Sequence, residues 1–151
     1  MEFLGANEIS YIISLSLALV AGLIIGMERE LKGKPAGMST QTLVIAAAMT
    51  FTFISREVGG EDPTRIASQI VAGVGFLGAG VILRSESTKR ISNLTTAASI
   101  WYAAAIGMAL GFDYHFIAIL ATLYAVVISR IPHIKKQDPD DPEKTTEEDK
   151  K

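Results

Sequence analysis

The feature that most constrains this chain is the stretch from Asp62 to Arg84, DPTRIASQIVAGVGFLGAGVILR, whose 18 residues from Ile66 to Leu83 carry no charge and include four glycines. A run of that length suits a tilted membrane-spanning helix, which needs about 20 predominantly apolar residues. Gly73, Gly75, Gly78 and Gly80 would weaken such a helix in water. In lipid they let neighbouring backbones approach closely, which is where packing energy between membrane helices arises. The stretch is therefore expected to be the third and central helix of a small bundle. Gly73, Gly75 and Gly78 also spell G-x-G-x-x-G, but a dinucleotide-binding fingerprint must follow a strand and open a helix, and here it lies inside an apolar span.

At about 100° per residue the helix divides into three faces. Asp62, Gln69, Gly73 and Gly80 share one line, with Arg65 and Phe76 beside them. Ser68, Ala72, Gly75 and Ala79 form a second small face, and Ile66, Ile70, Val74, Leu77 and Val81 a bulky third. Two small faces and one bulky face predict protein on two sides, through Gly73, Gly80, Ala72, Gly75, Gly78 and Ala79, and lipid on the other.

Composition agrees with a membrane protein: 49% of the 151 residues are hydrophobic, and the mean hydropathy is +0.34. Seven of the sixteen acidic and five of the fourteen basic residues lie after Ile134, so the net charge of −2 reflects the tail and suggests no nucleic-acid partner. There is no cysteine, which excludes thiol and disulfide chemistry.

Five spans are expected, at about 9–27, 36–55, 64–83, 93–111 and 114–130, forming an all-α polytopic bundle over residues 1–131. Residues 132–151, rich in charge and proline, are expected to be a disordered cytoplasmic tail. In the first span Ser14, Ala18, Gly22 and Gly26 recur every four residues as a close-packing ridge. Asp62-Pro63 is a helix-start signal, an N-cap followed by a proline with no amide hydrogen to lose. Lysines and arginines gather after the first span (Arg29, Lys32, Lys34), after the third (Arg84, Lys89, Arg90) and after the fifth (Arg130, Lys135, Lys136). The excess of cytoplasmic Lys and Arg in membrane proteins then places the N-terminus outside and the C-terminus inside.

Two polar clusters stand out. Asp62, Arg65 and Gln69, spaced by three and four, descend one helix face from the outer surface. Gln69 sits about two turns into the span and needs a partner. Glu28, Arg29, Asn93, Thr95 and Thr96 form a cytoplasmic-side cluster; Arg29 continues the Ser14 ridge, so it should face protein and pair with a carboxylate. Capping and interface anchoring compete with function at each of these positions. No nucleophile, base or metal-ligand pattern is present, so neither an enzyme nor a resident cofactor is expected; Mg²⁺ as a ligand or signal would draw on Asp62 or Glu28.

GLIIGMERELKGKPAGMSTQTLV, DPTRIASQIVAGVGFLGAGVILR and NLTTAASIWYAAAIGMALG together resemble the three signature blocks of the MgtC/SapB membrane proteins, over most of residues 20 to 112. The resemblance implies a bacterial or archaeal inner-membrane protein tied to magnesium limitation, and in some pathogens to survival in macrophages. The family is often labelled a magnesium transporter; regulation of another membrane complex, the rotary ATP synthase for some members, is the competing view. Many members carry a soluble ACT-type domain after the spans, where this chain has a short charged tail. The fourth-span block usually begins Gly-Leu-Thr-Thr-Ala-Ala, and Asn93 stands here where Gly is usual. The resemblance points to Glu28, Arg29, Asp62, Arg65, Gln69, Thr95 and Thr96, and the small faces imply a homo-oligomer in the lipid bilayer.

Overall fold

The computed structural model describes residues 5–83 and 93–131. The expected tail at 132–151 and the basic loop holding Arg84, Lys89 and Arg90 lie outside the described residues. Those described fold into five helices without a strand: α1 (Ala6–Leu31), α2 (Met38–Val58), α3 (Arg65–Leu83), α4 (Leu94–Gly111) and α5 (His115–Ser129). The first four are long and apolar enough to cross a membrane. The outer surfaces of the bundle expose large apolar side chains such as Ile12, Leu19, Leu43, Phe51 and Phe116, as lipid-facing helices do. The chain is a multi-pass membrane protein.

At 15 residues α5 is shorter, about 22 Å at 1.5 Å per residue. It still runs between the two ends of the bundle. His115 at its start meets Ser14 of α1, and the carbonyl of Ser129 at its end accepts from Lys32, just past the end of α1.

The centre of the bundle is α2, which packs most extensively on α1 and α4. Glycine makes that approach close. A Cβ built on Gly22 would lie 2.4 Å from the Thr42 Cα, and one on Gly26 would lie 2.2 Å from the Met38 Cα. One on Gly107 would lie 2.2 Å from the Ile45 carbonyl oxygen, and one on Gly111 would lie 2.5 Å from the Thr52 Cβ. These distances are well inside van der Waals contact, so no other residue fits without moving a backbone. The expected ridge of Ser14, Ala18, Gly22 and Gly26 is buried along its whole length. Ala18, Ile25, Ile45, Met49, Ile106 and Leu110 form the core between α1, α2 and α4.

The third helix is not central, contrary to the sequence expectation. It stands at the edge of the bundle against α4 and α2, and among its described residues only Ala67, Ile70, Val74 and Gly78 are buried. A Cβ at Gly73, Gly75 or Gly80 would meet nothing within 4 Å, while one at Gly78 would rest 3.6 Å from the Ala97 Cβ. Ala72 and Ala79 are exposed and Phe76 is 80% exposed. The reason is complementarity of bulk. The neighbours present small residues, Ala48, Ala97 and Ala104, so the bulky Ile70 and Val74 of α3 fill the hollow and Gly73, Gly75 and Gly80 turn outward.

The start of α3 also differs. Helix geometry begins at Arg65, and Asp62 accepts bonds from the Thr64 amide and hydroxyl, closing a turn and not capping the helix. The cap comes from Ser55 of α2, fully buried, whose hydroxyl donates to the Pro63 carbonyl at 2.7 Å and accepts from the Ala67 amide at 3.2 Å. Pro63 is thereby pinned to α2, and one orphan amide of α3 is satisfied from outside its own chain segment.

This packing predicts opposite responses from two glycines. Gly26→Ala should lower stability by about 1–3 kcal/mol, the usual cost of overpacking. Gly75→Ala should stay within about 0.5 kcal/mol of the parent, as at surface sites. Thermal unfolding in mild detergent reads both, and an unchanged Gly26→Ala would show that the α1–α2 approach is looser than described.

Candidate functional site

Two connected groups of polar side chains lie at the two ends of the bundle. At the Glu28 end the organising group is Arg29, which follows the glycine ridge down α1 and is only 1% exposed. Its Nε donates to the carbonyls of Pro35 and Ala36 at 3.0 and 3.1 Å, and its Nη2 to Pro35 at 2.8 Å and to the Thr96 hydroxyl at 2.6 Å. The guanidinium thus ties the α1–α2 turn to the first turn of α4. Facing protein was expected of Arg29; pairing with a carboxylate was not what resulted, because every one of these acceptors is a neutral oxygen.

The turn that supplies these acceptors is strained. Ala36 has φ +60°, a left-handed conformation that costs an L-residue on the order of 1–2 kcal/mol. Its carbonyl accepts from Arg29 and also from Gln41 Nε2 at 3.3 Å. Gln41, fully buried, donates on to the Ser99 hydroxyl at 3.1 Å, which itself donates to the Thr96 carbonyl. Arg29, Gln41, Thr96 and Ser99 therefore form one connected network across α1, α2 and α4. Beside it Glu28 pairs with Lys32, and Glu30 accepts from the Met38 amide at 2.8 Å to cap α2. Thr95 lies exposed next to the network.

The opposite end holds a second network that sequence reasoning missed. Asp113, in the α4–α5 turn at φ +61°, pairs with Arg56 of α2 and accepts from the Ser10 hydroxyl of α1. Glu57 accepts from Asn7 at 2.7 Å, and Ser14 lies 2.9 Å from His115 Nε2. These residues come from three segments distant in sequence, around 7–14, 56–57 and 113–115, and no spacing rule links them.

The expected outer cluster is not joined in this way. Asp62, Arg65 and Gln69 are all exposed, the Asp62 carboxylate is engaged by Thr64, and no Asp62–Arg65 ion pair forms among the described residues. Gln69 lines an apolar groove of about 510 Å³ between α2 and α3 with Leu43, Phe51, Ile70 and Gly73. Asp62 and Glu28 lie at opposite ends of the bundle, so they cannot share an ion, and no group of three His, Cys, Asp or Glu side chains among the described residues could hold a metal.

The MgtC family model matches residues 15–136. The chain belongs to the MgtC family. It is 38% identical to Protein SapB of Bacillus subtilis over 125 residues, covering 77% of this chain and 53% of that protein. It is 40% identical to Protein MgtC of Brucella abortus over 115 residues, covering 76% and 48%. It is 39% identical to YhiD of Escherichia coli K12, provisionally named a magnesium transporter, over 132 residues, covering 82% and 60%. The chain thus spans about half to three-fifths of the length of these relatives. No solved structure matches it.

Membership gives Asn93 a physical meaning. The residue before α4 has φ +64° and ψ 15°, the left-handed region that glycine enters freely and asparagine enters more readily than other side-chain-bearing residues. Asn93, where the resembling family block carries glycine, can therefore hold this left-handed turn. Thr96 follows it into the Arg29 network, so that turn sets where the hydroxyl meets the guanidinium.

Asp113 supplies a pH test of the second network. Burial acts to raise its pKa, but the Ser10 hydroxyl and the Arg56 guanidinium act against it, and the carboxyl ends below its ordinary value of 3.8. A carboxyl depressed by folding stabilises the fold fully above its unfolded pKa, and that contribution disappears as pH falls through the folded one. Unfolding in detergent should thus show a loss of stability below about pH 3.8 that Asp113→Asn lacks. At neutral pH the variant should be the less stable of the two. Parallel pH curves for parent and variant would remove Asp113 from this role.

Proposed function

We propose that this MgtC protein is a regulator of low-magnesium adaptation in the cytoplasmic membrane, acting by binding another membrane helix. The observation that carries the proposal is the open side of α3. Ala72, Gly73, Gly75, Ala79 and Gly80 lie uncovered along a helix in which they would otherwise be a liability. Small residues at this density serve close backbone contact between membrane helices, and within one chain that contact is missing. Gln69 lies in line with Gly73 and Gly80 on that side, where an amide in lipid gains most from a partner's polar group. A second copy of the chain or another membrane complex, the rotary ATP synthase among them, would complete the surface. Asp62 and Arg65 mark its outer end when the N-terminus is outside and the basic Glu28 end lies in the cytoplasm.

Magnesium transport, which the provisional name of the YhiD relative suggests, has less support from the side chains. Mg²⁺ requires octahedral oxygen ligation and gives up water reluctantly. The two polar networks sit at the ends of the bundle, the buried polar groups nearer its middle being threonine hydroxyls such as Thr52 and Thr122, and at one end the buried Arg29 places a fixed positive charge where a cation would enter.

Gly75→Leu with Ala79→Leu blocks the open side, and Gln69→Leu removes its amide at similar volume. Both variants should accumulate and unfold like the parent, yet lose growth support in low magnesium and cross-linking through α3. Full growth support from both would move the working surface away from α3.

A further inference from the structure

A cavity of about 360 Å³ lies at the Glu28 end between the end of α1, α4 and α5, within the range of about 300–1,000 Å³ usual for small-molecule sites. Its charged lining is cationic: Arg29 and Lys34, with no Asp or Glu among the lining residues. The hydroxyl side chains of Thr95 and Ser99 stand beside them. The rest is apolar or aromatic, led by Tyr102 and Tyr124, whose rings lie 6.1 Å apart across the α4–α5 seam.

We propose that this cavity binds an anionic phospholipid, with the phosphate at Arg29 and Lys34 and an acyl chain laid along Tyr102 and Tyr124. Three observations converge on that occupant. The Arg29 guanidinium is buried and its hydrogen-bond acceptors are all neutral oxygens, and a buried charge so placed gains from a counter-charge. Glu28 acts on the guanidinium from outside the cavity lining, and its carboxylate is engaged by Lys32 just past the end of α1. The α5 wall is open sideways: Tyr124 is 57% and Ile128 44% exposed on the lipid-facing surface. A two-tailed molecule can therefore enter laterally and keep part of itself in the bilayer. Basic pockets between membrane helices recognise anionic head groups in this manner, and paired tyrosines suit the boundary between apolar and wet layers. The site is independent of the α3 surface and of which leaflet its end of the bundle meets.

The test uses the full chain, delipidated in mild non-ionic detergent, with native mass spectrometry and thermal unfolding as readouts. Phosphatidylglycerol should be retained and should stabilise the protein, and phosphatidylcholine or inorganic phosphate at equal concentration should do neither. Lys34→Gln should weaken retention about fivefold, the effect of one basic residue near an anionic head group. Ala98→Phe, which fills the cavity from α4, should abolish it. Both variants should unfold like the parent without lipid, and Lys34→Gln, a change in a half-exposed turn residue, keeps the test valid if Ala98→Phe does not fold. Equal retention of phosphatidylglycerol and phosphatidylcholine would overturn the proposal, as would full retention by Lys34→Gln. Stabilisation by inorganic phosphate matching that by phosphatidylglycerol would also overturn it, leaving a site for small anions.

Discussion

Backbone-to-backbone contact along α2 is the constraint on which the rest of this bundle depends. Gly22 and Gly26 of α1 and Gly107 and Gly111 of α4 bring two helices onto α2 at distances that exclude a Cβ. Without a hydrophobic drive between helices in lipid, such close contact is the main attraction available, and it scales with the number of atoms brought into range. It also fixes where side chains can go. With α1, α2 and α4 so close, large residues are pushed outward to lipid, and α3 finds only a shallow hollow floored by Ala48, Ala97 and Ala104.

The same closeness leaves little room for polar groups, so those present are used at the ends. Arg29 closes the turn after α1, and its bonds to Pro35 and Ala36 offset the left-handed strain at Ala36. Hydrogen bonds to a charged donor contribute about 1.5–3 kcal/mol each, enough to outweigh a strain on the order of 1–2 kcal/mol. The turn in turn sets the start of α2, where Glu30 caps the Met38 amide. A fixed guanidinium with neutral acceptors makes this end of the protein electropositive, which suits an anionic head group and opposes a divalent cation.

Much of the fold was legible in the sequence, because apolar run length and small-residue periodicity are local properties. The five helices and the buried α1 ridge followed from them. The position of α3 did not. Its glycines signal close contact, but nothing in one chain says whether the contact is within the molecule or between molecules, and the hollow that accepts Ile70 and Val74 is made by residues on α2 and α4. The Arg29–Thr96 contact was within reach, since both belonged to one expected cluster; its neutral acceptors were not, since backbone carbonyls leave no trace in side-chain spacing. Ser55 as the cap of α3, and the joining of Ser10, Arg56 and Asp113, depend on how segments meet and have no signal in the sequence.

The central claim is that this chain acts through helix contacts at the membrane and does not itself conduct magnesium. Liposomes containing only this protein and a magnesium-sensitive dye, with a membrane potential imposed, test it most directly. The account predicts Mg²⁺ entry at the rate of protein-free liposomes. Saturable entry that rises in proportion to the protein incorporated would contradict it.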